Sequence, residues 1–149
     1  MSEIKIEHLS VLARVPPAEI KAFVEELIPA LEPIEVLVNR TGLAMLPMEE
    51  QVKGTTFYLG EVLLAEAHVR AAGSEGYAAC LGRDLEQALA IALLDAAQRG
   101  QVETDAIIDF VHLHAANQQA EDEALLRAVA ATRVELETFG TVVRELGDL

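Results

Sequence analysis

Between Val62 and Ala71 two kinds of residue alternate: Ala65, Ala67 and Val69 take every second position, and Glu66, His68 and Arg70 fill the positions between them. Successive side chains of a strand point to opposite faces, so this pattern describes a strand with one apolar and one polar side. The alanines favour a helix by intrinsic propensity. The period-two alternation is the stronger constraint, and it requires strand neighbours and a layer over the apolar side.

The flanking residues supply those neighbours. Glu35 to Arg40 is a β-branched run ending at Thr41-Gly42, a turn signal, before Leu43 to Leu46 returns, which predicts a hairpin. The long stretch begins at Thr55 and is expected to be interrupted at Gly60-Glu61 before Val62. A turn over Gly73 to Gly76 then leads to a last strand, Tyr77 to Leu81. Residues 33–82 therefore read as a small, mainly antiparallel sheet.

Helical patterns lie on both sides. Pro16 and Pro17 open a segment in which Ile20, Phe23, Val24, Leu27, Ile28 and Leu31 recur at helical spacing, with Glu19 in the first turn where the helix dipole favours an anion. A shorter helix is expected over Ile6 to Ala13, so residues 1–32 are helical. Asp84 and Gln87 are spaced as a capping box, which predicts a helix start, and Leu85, Ala88, Leu89, Ile91, Ala92, Leu93 and Ala96 make that helix apolar round much of its circumference until Gly100. Thr104 is expected to cap a helix carrying Ile107, Ile108 and Val111. A polar break at Asn117 to Gln119 leads to a longer one with Leu125, Val129, Thr132 and Leu136 on its inner face. Residues 83–149 are thus helical, and the whole chain of 149 residues reads as one α+β domain with 52% hydrophobic residues to build a core.

Composition excludes several function classes. With 25 acidic against 11 basic residues the net charge is -14, and no basic cluster offers a footing for nucleic acid or anionic lipid. Four Phe, two Tyr and no Trp give no stacking platform for single strands. No apolar run is long enough to span a bilayer and no signal-like leader is evident, so a cytoplasmic site of action is expected. The single cysteine, Cys80, supplies neither a disulfide nor the thiolates of a zinc or iron–sulfur site, and it reads as a core residue.

Few residues suggest chemistry. Asp105, Asp109 and His112 share a helical face and could offer ligands to a divalent cation, but no second ligand set accompanies them, and a solvated face gives the same pattern. His114 points to another side, and His8 has no visible partner. Glu66, His68 and Arg70 on one strand face could do acid–base work or hold a phosphate; an exposed sheet face, or one covered by a partner, predicts the same pattern and fits them better. Leu81-Gly82-Arg83-Asp84 could bind an anion through the helix start and Arg83, yet Asp84 as the N-cap already occupies those amides. No catalytic, cofactor-binding or metal residue is assigned. Arg70 and Arg83 are the residual phosphate candidates.

The same residues carry a family resemblance. Gly76-Tyr77-Ala78-Ala79-Cys80-Leu81-Gly82-Arg83-Asp84 resembles the strand-turn-helix signature of the PhnG family, with Ala88 and Ile91 to Ala96 continuing it. Leu9-Ser10-Val11-Leu12-Ala13 and Pro17-Ala18-Glu19 resemble its opening helices, Thr41-Gly42-Leu43 its first hairpin, and Phe57-Tyr58-Leu59-Gly60-Glu61 with His68-Val69-Arg70 its central stretch. Ala131-Thr132-Arg133-Val134-Glu135 resembles its C-terminal motif, although Leu136 to Gly140 then departs from the usual ending, and Val102 to Asp122 matches loosely. The pieces are individually unspecific but colinear over nearly the whole chain.

The resemblance implies a subunit of the bacterial carbon–phosphorus lyase system. Such a subunit works with PhnH, PhnI and PhnL to displace adenine from ATP by a phosphonate, forming a ribose 1-phosphonate 5-triphosphate, within a core complex that includes PhnJ. The nucleosidase site belongs to PhnI and the iron–sulfur radical chemistry to PhnJ. The role expected of this chain is structural: no cofactor bound by the chain itself, ATP as a substrate of the complex, and Gly60, Glu61, Gly82, Arg83, Asp84, Arg133 and Glu135 as fold or partner positions. The alternatives are a direct ATP contact through Arg83 or Arg70, and a stand-alone interaction or regulatory module.

Overall fold

The structure is a computed structural model that describes the main chain over residues 6–147 and the side chains over residues 8–132. The chain is α+β. Two helices, α1 (Ile6–Arg14) and α2 (Pro17–Leu31), precede three strands, β1 (Glu35–Glu49), β2 (Thr56–Ala71) and β3 (Ser74–Leu81), and helices α3 (Leu85–Arg99) and α4 (Thr104–Gly147) follow. The strands form one antiparallel sheet in the order β1-β2-β3. The chain divides into two compact units, Met1–Val111 and His112–Leu149, the second holding the continuation of α4.

Core formation in the first unit follows the alternation. Ala65, Ala67, Val69 and Ala71 of β2 and Ala78 and Cys80 of β3 are buried. Small side chains there let α3 approach the sheet closely, and Ala88, Ile91, Ala92 and Ala96 of α3 are buried in the same core. The approach is closest at Gly76, where a Cβ would overlap the carbonyl oxygen of Ala92 and the amide of Ala96. Helix α2 buries Ile20, Val24, Leu27 and Leu31 on one stripe, as its periodicity predicts. Phe23 stacks on Phe110 with centroids 4.1 Å apart.

Several expectations are corrected. Thr41-Gly42 is not a turn: β1 runs straight through it, with Thr41 opposite Ala65 and Gly42 opposite Leu64. Turn residues inside a strand are outweighed when both neighbours find a ladder partner, and the reversal instead falls between Glu49 and Thr56, where Gly54 has a positive φ. Gly60-Glu61 does not break β2; the pairing only shifts register between Leu46 and Pro47, since proline cannot donate to the ladder. The second turn is Ala72-Gly73, both with positive φ, so that Gly76 lies within β3.

The C-terminal helices are one helix. Asn117 to Gln119 leaves α4 unbroken, because Asn and Gln cost a helix little, whether exposed as Asn117 and Gln119 are or buried as Gln118 is. Thr104 opens α4 but does not cap it: among the described residues its hydroxyl oxygen is buried without a partner. Leu125, Val129 and Thr132 are exposed rather than an inner face, while the side chains of Arg133, Glu135 and Leu136 lie outside the described residues. His8 does have a neighbour, its Nδ1 standing 3.5 Å from the Gln98 amide nitrogen.

Candidate functional site

The face of the sheet away from α3 carries a ladder of charged side chains. In an antiparallel pair, residues directly opposite one another share a face. Arg40 stands opposite Glu66, Val38 opposite His68 and Glu35 opposite Arg70 on β1 and β2, and β3 adds Tyr77 opposite His68 and Glu75 opposite Arg70. Glu66, His68 and Arg70 therefore do share one face.

Their charges are closed within the ladder. Arg40 Nε donates to Glu66 Oε1 at 2.9 Å, and the Tyr77 hydroxyl donates to Glu66 Oε2 at 2.6 Å. Arg70 donates to Glu35 at 3.1 Å and to Glu75 at 3.0 Å, and His68 Nε2 lies 3.3 Å from Glu75. The Tyr77 hydroxyl and then Arg40 hold the Glu66 carboxyl below its ordinary value, and Glu66 in return pushes the Tyr77 phenol up. Arg70, then His68, likewise lowers Glu75. Carboxylates held ionised and a phenol held protonated are poor proton shuttles near neutrality. A groove of about 410 Å³ runs beside this ladder, with Gly42 and Ala44 among its lining residues and Arg40, Glu66 and Tyr77 at its polar end.

Arg70 and Arg83 are not brought together. Arg70 stands opposite Glu75, whereas Arg83 follows Leu81, which stands opposite Leu64 towards the other end of β3. At the turn, Gly82 has φ 108° and Arg83 is exposed. Asp84 caps α3 by accepting the Gln87 amide at 3.0 Å, and Lys21 donates to its other oxygen at 3.0 Å. The cap amide and then Lys21 hold the Asp84 carboxyl below its usual range. Gln87 does not complete the box; its side-chain nitrogen turns to the Ala13 carbonyl oxygen at 3.4 Å. Burial pushes the Cys80 thiol up, as suits a core residue and not a nucleophile. Among the described residues, no three His, Cys, Asp or Glu side chains are grouped to hold a metal ion.

Beyond the ladder the sheet changes character. Strand β3 pairs with β2 only from Leu64 to Ala71, whereas β1 and β2 remain paired as far as Glu49 and Thr56. The distal part is a two-stranded ribbon. Leu43 (66% exposed), Met45 (57%) and Tyr58 (64%) project from it, together with exposed Leu46, Met48, Val52, Phe57 and Leu59. Leu43 and Met45 share the face of Ala65 and Ala67, while Ala44 and Leu46 share the face of Glu66, so apolar residues occupy both sides. A sequence reading that turns the chain at Thr41-Gly42 cannot see this ribbon. Its signal is the run from Leu43 to Met48 facing that from Phe57 to Leu64, an apolar pair too long for the sheet that covers it.

The model of the family described as "Phosphonate metabolism protein PhnG" matches residues 5–144. The chain belongs to the PhnG family. PhnG proteins act in phosphonate metabolism, and the match spans both the charged ladder and the apolar ribbon. No curated protein sequence matches the chain significantly. No helix among the described residues is long and apolar enough to cross a membrane.

Asp95 is the residue that sequence reasoning missed. It lies in the apolar run of α3, 1% exposed, and accepts the Tyr77 main-chain amide at 3.0 Å and the Arg99 guanidinium at 3.3 Å. A carboxylate between Leu94 and Ala96, on the buried stripe of a helix, is the signal that could have found it.

Proposed function

We propose that this chain is a structural and assembly subunit of the carbon–phosphorus lyase core complex, working with PhnH, PhnI, PhnJ and PhnL type subunits in forming α-D-ribose 1-methylphosphonate 5-triphosphate from ATP and methylphosphonate. The observation that carries the reading is the ribbon: large apolar side chains exposed on both of its faces, beyond the reach of β3. Contiguous apolar surface of this kind marks an interaction site. The ladder supports the same reading, since each of its guanidinium groups already has a carboxylate. The chemistry then resides on partner subunits, with no cofactor held by this chain and with ATP a substrate of the complex. Co-expression with a PhnI type subunit tests it: a complex that survives gel filtration is expected, and two separately eluting proteins would contradict it. The same outcome would favour a stand-alone module.

A second reading has one observation in its favour. Arg83 is exposed at the positive-φ Gly82 turn, with no ion pair among the described residues, and could touch the triphosphate. Against it, Asp84 occupies the helix start. Calorimetric titration with ATP decides: heat from the wild type that Arg83→Ala removes would support direct contact, and absence of heat would end it.

A further inference from the structure

We infer that the outer edge of β1, between Val38 and Leu46, receives an extended strand from a partner subunit, continuing the sheet across the subunit boundary. The inference rests on the assembly reading and goes further by assigning the main-chain groups that make the contact.

The direction of those groups follows from one hydrogen bond. The Gly82 amide donates to the Leu63 carbonyl oxygen at 2.9 Å, so the main-chain groups of Leu63 point towards β3. Leu63 stands opposite Leu43 in β1. Groups along an antiparallel strand alternate between its two neighbours, so Leu43 and Leu63 form a pair without mutual hydrogen bonds. The N–H and C=O of Leu43 therefore point away from β2, to the open edge. The same alternation turns Asn39, Thr41 and Met45 outward. Irregularities between Val36 and Val38 and between Leu46 and Pro47 bound this regular stretch.

Natural edges are blunted by short length, lysine, proline or bulges within the strand. Here the stretch between the two irregularities has no proline and no lysine, and its only charge, Arg40, is tied to Glu66. Leu43 and Met45 on one face and Ala44 and Leu46 on the other would flank an added strand with apolar contacts. Main-chain pairing gives affinity in such contacts and alternate side chains give specificity.

Charge selects the occupant. A second copy laid antiparallel about Gly42 would bring the Glu35 end of one β1 towards the Glu49 end of the other, and would join two chains of net charge -14; like charges brought close are unfavourable. A foreign strand with an apolar middle and a Lys or Arg near Glu49 and Glu50 meets no such opposition.

The test is residue-resolved amide exchange on the chain alone and in its co-expressed complex with the PhnI type subunit. In the chain alone the outward amides of Asn39, Thr41, Leu43 and Met45 exchange fast. In the complex they are expected to slow by at least about 100-fold, as ladder amides do. A complex in which these amides stay fast overturns the inference and leaves the assembly reading standing; the absence of a complex removes both. Slow outward amides in the chain alone, together with a dimer in sedimentation, would assign the edge to a second copy and overturn it. Thr41→Pro removes an outward amide without touching a β1–β2 bond, and is expected to weaken the complex at least about 10-fold, with Thr41→Val unaffected. Undiminished binding by a folded Thr41→Pro chain contradicts the inference.

Discussion

Asp95 in α3 accepts the main-chain amide of Tyr77 in β3 at 3.0 Å, from a position where its side chain is almost entirely buried. The bond ties the helix to the strand at the site where Gly76 permits close approach. Asp95 is the buried end of this partly buried bond, and removing it leaves the Tyr77 amide without its acceptor, which costs more than the bond itself contributes. Asp95→Ala is therefore expected to lower unfolding free energy by about 2–3 kcal/mol, measured by urea titration. Asp95→Asn retains an acceptor and should lose less.

Gly76→Ala is expected to destabilise the chain strongly. The added methyl would meet the Ala92 carbonyl, which is helix main chain and cannot rotate aside. Overpacking of this kind costs about 1–3 kcal/mol or more. Gly42→Ala is the control, because its added methyl meets nothing within 4 Å. Thermal melts of the two variants should separate clearly.

Asp84 contributes to acid sensitivity alongside Glu66 and Glu75 of the ladder. Its carboxyl is held below the ordinary value of 3.8 by the Gln87 amide and Lys21. A group depressed in the folded state contributes stability that is full above its unfolded value and is lost as pH falls through the folded one. Asp84→Asn keeps a cap acceptor but loses the charge. It should be less stable than the wild type at pH 7 by up to about 1 kcal/mol, the gap closing as pH drops below the carboxylate range. A gap that widened on acidification would contradict the cap geometry.

Much of this fold is legible because each layer repeats one pattern. Ala65, Ala67 and Val69 name the buried face, and Ile20, Val24, Leu27 and Leu31 name the helix stripe, with no tertiary information needed. Turns were less legible. Thr41-Gly42 has turn residues but is held in the ladder by Ala65 and Leu64, and sequence alone does not display which strand will pair across it. The ladder's face was readable from β2, but its closure was not, since Glu35, Arg40, Glu75 and Tyr77 come from the two neighbouring strands. The helix start at Asp84 is legible in the sequence because an N-cap is a local device.

The ribbon also sets a solubility expectation. Met48→Lys with Phe57→Glu puts opposite charges at positions that face each other across the strands, replacing apolar surface while keeping the pair favourable. The isolated variant should aggregate less than the wild type in light scattering at matched concentration, with its melting temperature little changed.

The same double variant tests the central claim most directly, through its affinity for the PhnI type subunit. If the ribbon is the docking element, loss of two apolar contacts should weaken binding by about 100-fold or more relative to the wild type. Equal affinity of the variant and the wild type would contradict the account.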